Sequence, residues 1–397
     1  MTGIDRRSFV AAAAGSASLS LAGCTGDDAA TDRGADGDGD PVGDAWPEFR
    51  YDAANTAYVP DRSAPTGPVE TLWTVDTGED VRGSPAIADG TVYVGSFDGH
   101  LRALDAASGE EEWRTDLDGQ VHATPLVADG TVYVGSNADA LHALDAASGD
   151  ELWRFPTGDD VISSATVARG PGGAPTLFVG CHDGRLYAVD AASGEEEWRF
   201  EVGENVFGSP AVVDGTVYAG SGDYNVYALD AASGEEEWRF ETGDCVYSSP
   251  AVVDGTVYVG SDDHNLYAVD AASGDELWRF ETRHLVISSP AVTEDAVYVG
   301  SYDTQLYALE RDSGEERWHH ETESIIESSP TVVGDTVLVG SFDHDVYALD
   351  AASGEERWRF PTEGQVESAV TVADGVAYVG SHDGTVYALR DEDGDAG

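Results

Sequence analysis

The chain contains no lysine: all 20 of its basic residues are arginine, set against 76 aspartates and glutamates for a formal net charge of −56. That imbalance excludes nucleic-acid binding, because no basic patch is available to displace counterions from phosphates. In dilute buffer it would strain a compact fold by self-repulsion, whereas multimolar salt shortens the Debye length to roughly 3 Å. The acidic excess therefore reads as solubility in brine. Cysteine is scarce as well, with Cys24, Cys181 and Cys245 the three copies. No Cys-x-x-Cys or Cys/His ligand spacing occurs, so neither metal nor disulfide is expected, and Cys181 and Cys245 read as free structural thiols. No stretch sustains a helical period, which excludes helical solenoids. The apolar run from Ala11 to Leu21 is too short to span a bilayer as a mature helix.

What is present begins with an address. Arg6 and Arg7, followed by Ser8, Phe9, Val10 and the apolar run, resemble a twin-arginine export signal. Leu21-Ala22-Gly23-Cys24 has the form of a lipobox, in which cleavage before Cys24 frees that thiol for lipid attachment. The expected layout is a signal over 1–23, an acidic disordered tether over 24–45, a lead-in segment over 46–69, a repeat domain over 70–390 and an acidic tail over 391–397. Such a chain is expected on the extracytoplasmic face of the cell membrane, held there by the lipid alone.

From residue 70 onward one unit recurs. Trp73, Trp113, Trp153, Trp198, Trp238, Trp278, Trp318 and Trp358 fall 40 residues apart, save one step of 45 that absorbs the insertion around Arg169 to Pro175. Each unit holds four runs rich in Val, Tyr, Leu and Trp, separated by turn chemistry, as a four-stranded antiparallel meander requires. In the unit at 246–280 the expected strands are Val246 to Val253, Thr256 to Ser261, Leu266 to Asp270 and Glu276 to Phe280, with a tight hairpin at Asp254-Gly255. A sheet of this size cannot bury both faces alone but can when packed radially, so the expected fold is an all-β, eight-bladed β-propeller.

Trp73 precedes the first complete blade, and nothing like a Trp strand follows Leu389. The strand around Leu72 to Val75 is therefore expected to supply the outermost strand of the last blade, closing the ring and removing an exposed edge. The eight tryptophans read as a packing ladder between blades rather than as a cofactor cage.

Function is sought where the units disagree. The Asp-Gly hairpins and Ala-Ser-Gly turns repeat almost unchanged, so the face that carries them reads as scaffold. On the other face, the axis-lining position after the recurring Val reads Arg82, His122, Ile162, Phe207, Tyr247, Ile287, Glu327 and Glu367. The turns after the second strand offer His182, His264, Tyr302, His344 and His382, along with Phe97, His100, Asn137, Arg185, Tyr224, Asn265 and Phe342. Variation along one rim of a repeat protein marks a candidate binding surface, here for a protein or peptide. Drift at solvent-exposed turns is the competing explanation. Asp98, Asp183, Asp223, Asp263, Asp303, Asp343 and Asp383 recur at one turn position, with Ala138 breaking the series. They suggest calcium but read as Asx turns, since one carboxylate per separated blade cannot converge on an ion.

The unit Leu-Tyr-Ala-Val-Asp-Ala-x-Ser-Gly-x-x-x-Trp at 266–278 closely resembles the pyrroloquinoline-quinone-like propeller repeat, over roughly residues 70–390. Trp46 to Pro60 resembles the segment preceding the propeller in the same superfamily. That resemblance implies one of two activities. The first is the non-enzymatic branch, similar to the propeller lipoprotein of the bacterial β-barrel assembly machinery, here a monomeric scaffold without a cofactor from a haloarchaeon. The second is a dehydrogenase of alcohols or sugars, dependent on pyrroloquinoline quinone and calcium. Members of the enzymatic branch typically carry a disulfide between neighbouring cysteines against the quinone, calcium ligands and often a haem-binding Cys-x-x-Cys-His, and the isolated cysteines here favour the scaffold.

Overall fold

The computed structural model describes residues 49–169 and 174–392. The export signal with Arg6 and Arg7, Cys24, the tether, Trp46 and most of the acidic tail lie outside the described residues.

Each repeat folds as a four-stranded antiparallel sheet, and eight such sheets make the propeller, with no helix among the described residues. Blade 1 runs Ala86–Ala88, Thr91–Gly95, His100–Asp105 and Glu111–Asp116 from the axis outward. The pattern repeats to blade 7, which begins at Thr331–Val333 and ends at Glu356–Pro361. Blade 8 has only Thr371–Ala373, Val376–Gly380 and Thr385–Asp391 of its own. Its outer strand is Val69–Asp76, paired from Val69 opposite Asp391 to Asp76 opposite Thr385. The expected closure is borne out, and the borrowed strand even keeps the bulge beside its tryptophan, between Thr71 and Trp73.

The inner strand is shorter than expected. In blade 5 the ladder starts at Ala251 rather than Val246, giving Ala251–Val253. Pro250 has no N–H to offer a neighbouring strand, and the residues before it bond through side chains instead. Ser248 Oγ accepts the Gly260 N–H at 3.1 Å, replacing a ladder carbonyl. The next residue joins blade to blade. Backbone N–H groups of Ser84, Thr124, Ser164, Ser209, Ser249 and Ser289 each donate to the hydroxyl at the same position of the following blade, at 2.8 to 3.0 Å. Ala369 N–H donates to Ser84 Oγ at 3.0 Å and carries the belt across the closure. Ala369 has no hydroxyl of its own, so the belt is open at that single step.

The tryptophans form the outer seam. Trp198 Nε1 donates to Ala231 O of the next blade at 2.9 Å, and its ring meets Phe178 with centroids 5.7 Å apart. Trp113, Trp153, Trp238, Trp278 and Trp318 repeat that bond in their own blades, and Trp73 carries it over the closure to Ala106 O. Trp358 faces blade 8, which lacks the turn that supplies this carbonyl elsewhere; Pro65 O of the lead-in takes its place at 2.8 Å.

At Gly234 the turn adopts φ +70°, and an added Cβ would lie 2.7 Å from the Trp198 ring. At Gly255 the backbone is equally left-handed, φ +75°, but nothing lies within 4 Å of that position. Gly234→Ala therefore combines conformational strain with overpacking and should cost about 2–4 kcal/mol, against about 1–2 kcal/mol for Gly255→Ala. Thermal unfolding in high salt measures both; an equal loss at the two positions would mean that the tryptophan seam tolerates a methyl group.

Candidate functional site: the axial funnel

The residues after each recurring valine converge on the propeller axis. Arg82, His122, Ile162, Phe207, Tyr247, Ile287, Glu327 and Glu367 line one cavity of about 150 Å³, with the hydroxyl belt beneath them. Their order around the ring divides the wall in two. Blades 3 to 6 contribute Ile162, Phe207, Tyr247 and Ile287, an apolar arc, and blades 7, 8, 1 and 2 contribute Glu327, Glu367, Arg82 and His122, a charged one.

Glu367 is the hub of the charged arc. Its Oε1 meets His122 Nε2 at 3.1 Å, its Oε2 meets His382 Nε2 at 2.9 Å, and Arg82 Nη1 lies 3.6 Å away. Burial alone would raise its carboxyl, but the two histidine bonds and Arg82 outweigh burial and hold it at about 2. Arg82 also bonds Asp80 at 3.0 Å and lies 4.5 Å over the Phe97 ring. Glu327 is placed differently. Its hydrogen bond comes from the Tyr302 hydroxyl, onto Oε2, and no ion pair among the described residues reaches it. Burial, followed by the nearby Glu367, pushes the Glu327 carboxyl up.

A second ring stands over the first. His182 packs on Phe207 at 4.3 Å between centroids, and Phe207 on Tyr247 at 4.4 Å in an edge-on pair. Phe342 meets the edge of His382 at 5.6 Å. The structure thus brings Arg82, His122, Phe207, Tyr247, Glu327, Glu367, His182, Tyr302 and His382 together. It does not bring His264 and His344 to the cavity. Both take left-handed backbone at the turn tips, φ +76° and +78°. His344 is exposed, and His264 stacks on His284, which stacks in turn on Tyr302.

The lead-in closes the funnel from below, which sequence reading missed. Phe49 forms part of the cavity lining. Beyond it the chain crosses the inward edges of blades 4 to 7 and, as the short strand Tyr58–Val59, pairs in parallel with Thr331–Val333 of blade 7. Val212, Val252, Val292, Val332 and Gly334 donate to the carbonyls of Ala53, Ala54, Thr56, Ala57 and Val59, at 2.6 to 3.0 Å. Asn55 Nδ2 donates to Ser209 O and Pro250 O at 3.2 and 3.0 Å. Buried Arg50 donates to Pro330 O at 2.9 Å and to Pro290 O. Burial pulls its guanidinium down to about 9, with Asp52 opposing, so it stays charged at neutral pH. Arg50, Tyr51, Asn55 and Ala57 all hold positive φ, a strained path that these bonds offset. The signal was the cluster Phe49, Arg50, Tyr51 and Asn55, polar and aromatic residues ahead of the repeat that no blade could use.

Six of the seven recurring aspartates form Asx turns, as expected, and Asp183 departs: its Oδ2 takes the Gly158 N–H and the Tyr187 hydroxyl, while its Oδ1 accepts nothing among the described residues. Asp263 Oδ1 accepts the Asn265 N–H at 3.0 Å, and its Oδ2 accepts the Tyr267 hydroxyl at 2.6 Å. Where Arg102 replaces that tyrosine it pairs with Asp98, and where Ala138 replaces the aspartate, His142 bonds Ser136 Oγ at 2.9 Å instead. Cys181 and Cys245 are free. Cys181 occupies the position of a recurring serine, and burial pushes its thiol up to about 12. Asp139, Asp159 and Asp160 gather carboxylate oxygens within 4.8 Å of one another, and Asp160 O accepts the His182 N–H at 3.0 Å.

A quinone with calcium does not fit these residues. Small-ligand pockets usually measure about 300–1,000 Å³, whereas this cavity encloses about 150 Å³. The two cysteines stand in different repeats with no neighbouring partner, and Glu367, the most buried carboxylate of the wall, is already held by three cationic or imidazole groups.

The sequence profile of a family described as outer membrane protein assembly factor BamB matches residues 58–170, 138–246, 226–341 and 323–396. No curated protein sequence matches the chain. Among solved structures, BamB from Moraxella catarrhalis is 21% identical with a TM-score of 0.70, covering 83% of this chain and 99% of that one. The quinohemoprotein alcohol dehydrogenase of Comamonas testosteroni is 17% identical with a TM-score of 0.73, covering 87% of this chain and 80% of that one. A computationally designed protein, Ika8, is 17% identical with a TM-score of 0.72, covering 81% and 99%. At these identities the likeness is one of fold.

The depressed carboxyl of Glu367 makes a pH prediction. Its folded value, about 2, lies below the ordinary 4.5, so the stabilisation is complete above about pH 5 and is lost as pH falls from 4.5 through 2. The stability difference between the wild type and Glu367→Gln, measured by denaturant unfolding in constant salt, should be level at neutral pH and shrink over that acid range. A difference independent of pH would contradict the pairing with His122, His382 and Arg82.

Proposed function

Because the chain belongs to the family of the outer membrane protein assembly factor BamB, we propose that it is a lipid-anchored β-propeller at the extracytoplasmic face of the cell membrane that acts as a protein-binding or assembly scaffold. The observation that carries this reading is the blind funnel. Its eight axial positions carry six different residue types, while the hairpin face repeats, and its volume suits a side chain better than a cofactor. Aromatic, histidine and arginine side chains gathered in one pocket match the composition of binding hot spots. The twin-arginine pattern, Cys24 and the acidic stretch after it support the placement at the membrane surface. The partner is a protein or peptide at that surface, met by a monomeric propeller.

The dehydrogenase reading draws on the quinohemoprotein neighbours and is opposed by the cavity volume and the isolated cysteines. One pair of measurements separates the two. Full-length protein carrying Phe207→Ala and Tyr247→Ala should lose the polypeptide that co-purifies with the wild type from solubilised membranes of the producing cells. Stability should fall by only about 1–2 kcal/mol, the worth of one aromatic pair and its partial burial. Capture unchanged by the double substitution would remove the funnel from the function. Dye reduction with alcohols or sugars after adding pyrroloquinoline quinone and calcium would replace the scaffold by the enzyme.

A further inference from the structure

We propose that the funnel takes a single basic side chain, an arginine or a lysine, presented by the partner polypeptide; the inference rests on the scaffold reading and specifies the chemistry of the partner. It starts from the unequal state of the two glutamates. Glu367 is surrounded by Arg82, His122 and His382 and has no need of a further cation. Glu327 lines the same cavity from the adjacent blade with Tyr302 on one oxygen, and among the described residues its Oε1 accepts nothing. Arg82, the one arginine of the wall, makes its contacts with Glu367 and Asp80, and it acts on Glu327 only through space, as does His122.

The rest of the wall discriminates between occupants. An apolar side chain would fit against Ile162, Phe207, Tyr247 and Ile287 but would strip water from Glu327 without replacing it, which is costly for a carboxylate. An acidic side chain would meet Glu327 and Glu367 together. A basic one satisfies both walls: its methylene stem lies along Tyr247 and Ile287, and its head reaches Glu327. A guanidinium gains further from the faces of Phe207 and Tyr247. The cavity, about 150 Å³, has room for one such side chain, closed below by Phe49 and the hydroxyl belt. The net charge of −56 attracts a basic segment at long range, though in brine that pull is screened and the contact with Glu327 remains.

The test uses capped amino acids on the full-length protein in high salt, with binding followed by NMR shifts of funnel residues. The probes are N-acetyl-arginine methylamide, its lysine counterpart, and the citrulline counterpart, which keeps the shape of arginine without its charge. The arginine or lysine probe should bind at least about tenfold more tightly than citrulline, the worth of one charge-assisted hydrogen bond. Glu327→Gln, nearly isosteric, should abolish that preference, and Tyr247→Ala should weaken all three probes. Equal binding of arginine and citrulline by the wild type overturns the proposal without recourse to any variant. A preference that survives Glu327→Gln overturns it also, as does failure of every probe to bind at about 10 mM. Partner capture that still depends on Phe207 and Tyr247 would in that last case leave the scaffold standing with a different occupant.

Discussion

No blade of this protein can bury its two faces except against its neighbours, so the whole domain depends on the antiparallel pairing of Val69–Asp76 with Thr385–Asp391. That pairing joins residues more than 300 positions apart and removes the free edge at which a ring of sheets would otherwise open or aggregate. It also carries Trp73 into register with Ala106, so the outer seam passes over the closure without a break. The price is a high contact order, since the ring cannot close until both ends exist.

Closure creates a second problem at the axis. The inner strands of blades 4 to 7 present N–H and C=O groups toward the centre with no further strand of the repeat to meet them, and buried backbone groups left unpaired are expensive. The molecule answers twice. Serine and threonine hydroxyls link blade to blade in the belt, and the lead-in lays its own carbonyls, with Arg50 and Asn55, against the remaining edges. The first answer uses short polar side chains in place of a strand, and the second uses the backbone of a segment from outside the repeat. What is left is a cavity open at one end, whose floor is made by residues that precede the repeat.

The funnel departs from the economy of the rest. Elsewhere a substitution in one unit leaves its turn bonded: Arg102 pairs with the recurring Asp98, His142 accompanies Ala138 and bonds Ser136, and Cys181 takes a serine's place. Each restores a turn. Around the axis the eight blades offer eight different combinations, and they sort into an apolar arc and a charged one rather than alternating. Drift at exposed turns would account for His264 and His344, which do not line the cavity, but not for a charged arc in which Glu367 gathers groups from blades 1, 2 and 8.

The sequence by itself determined the number of blades, the strand order, the closure and the tryptophan seam, because each is written as a period: one Trp, one Asp-Gly or its variant, and one Gly-Ser per unit. It also named most of the funnel residues, since a position that varies inside an otherwise constant repeat is visible without coordinates. Three things needed the tertiary structure. The length of the inner strand was one, because Pro250 and its counterparts trade ladder bonds for side-chain bonds to another blade, a cost that depends on where that blade stands. The plug was another, because Arg50 and Asn55 act on carbonyls 154 to 280 residues away. The last was the difference between Glu327 and Glu367: the same residue at the same repeat position, separated only by which histidines and arginine the closed ring brings within reach.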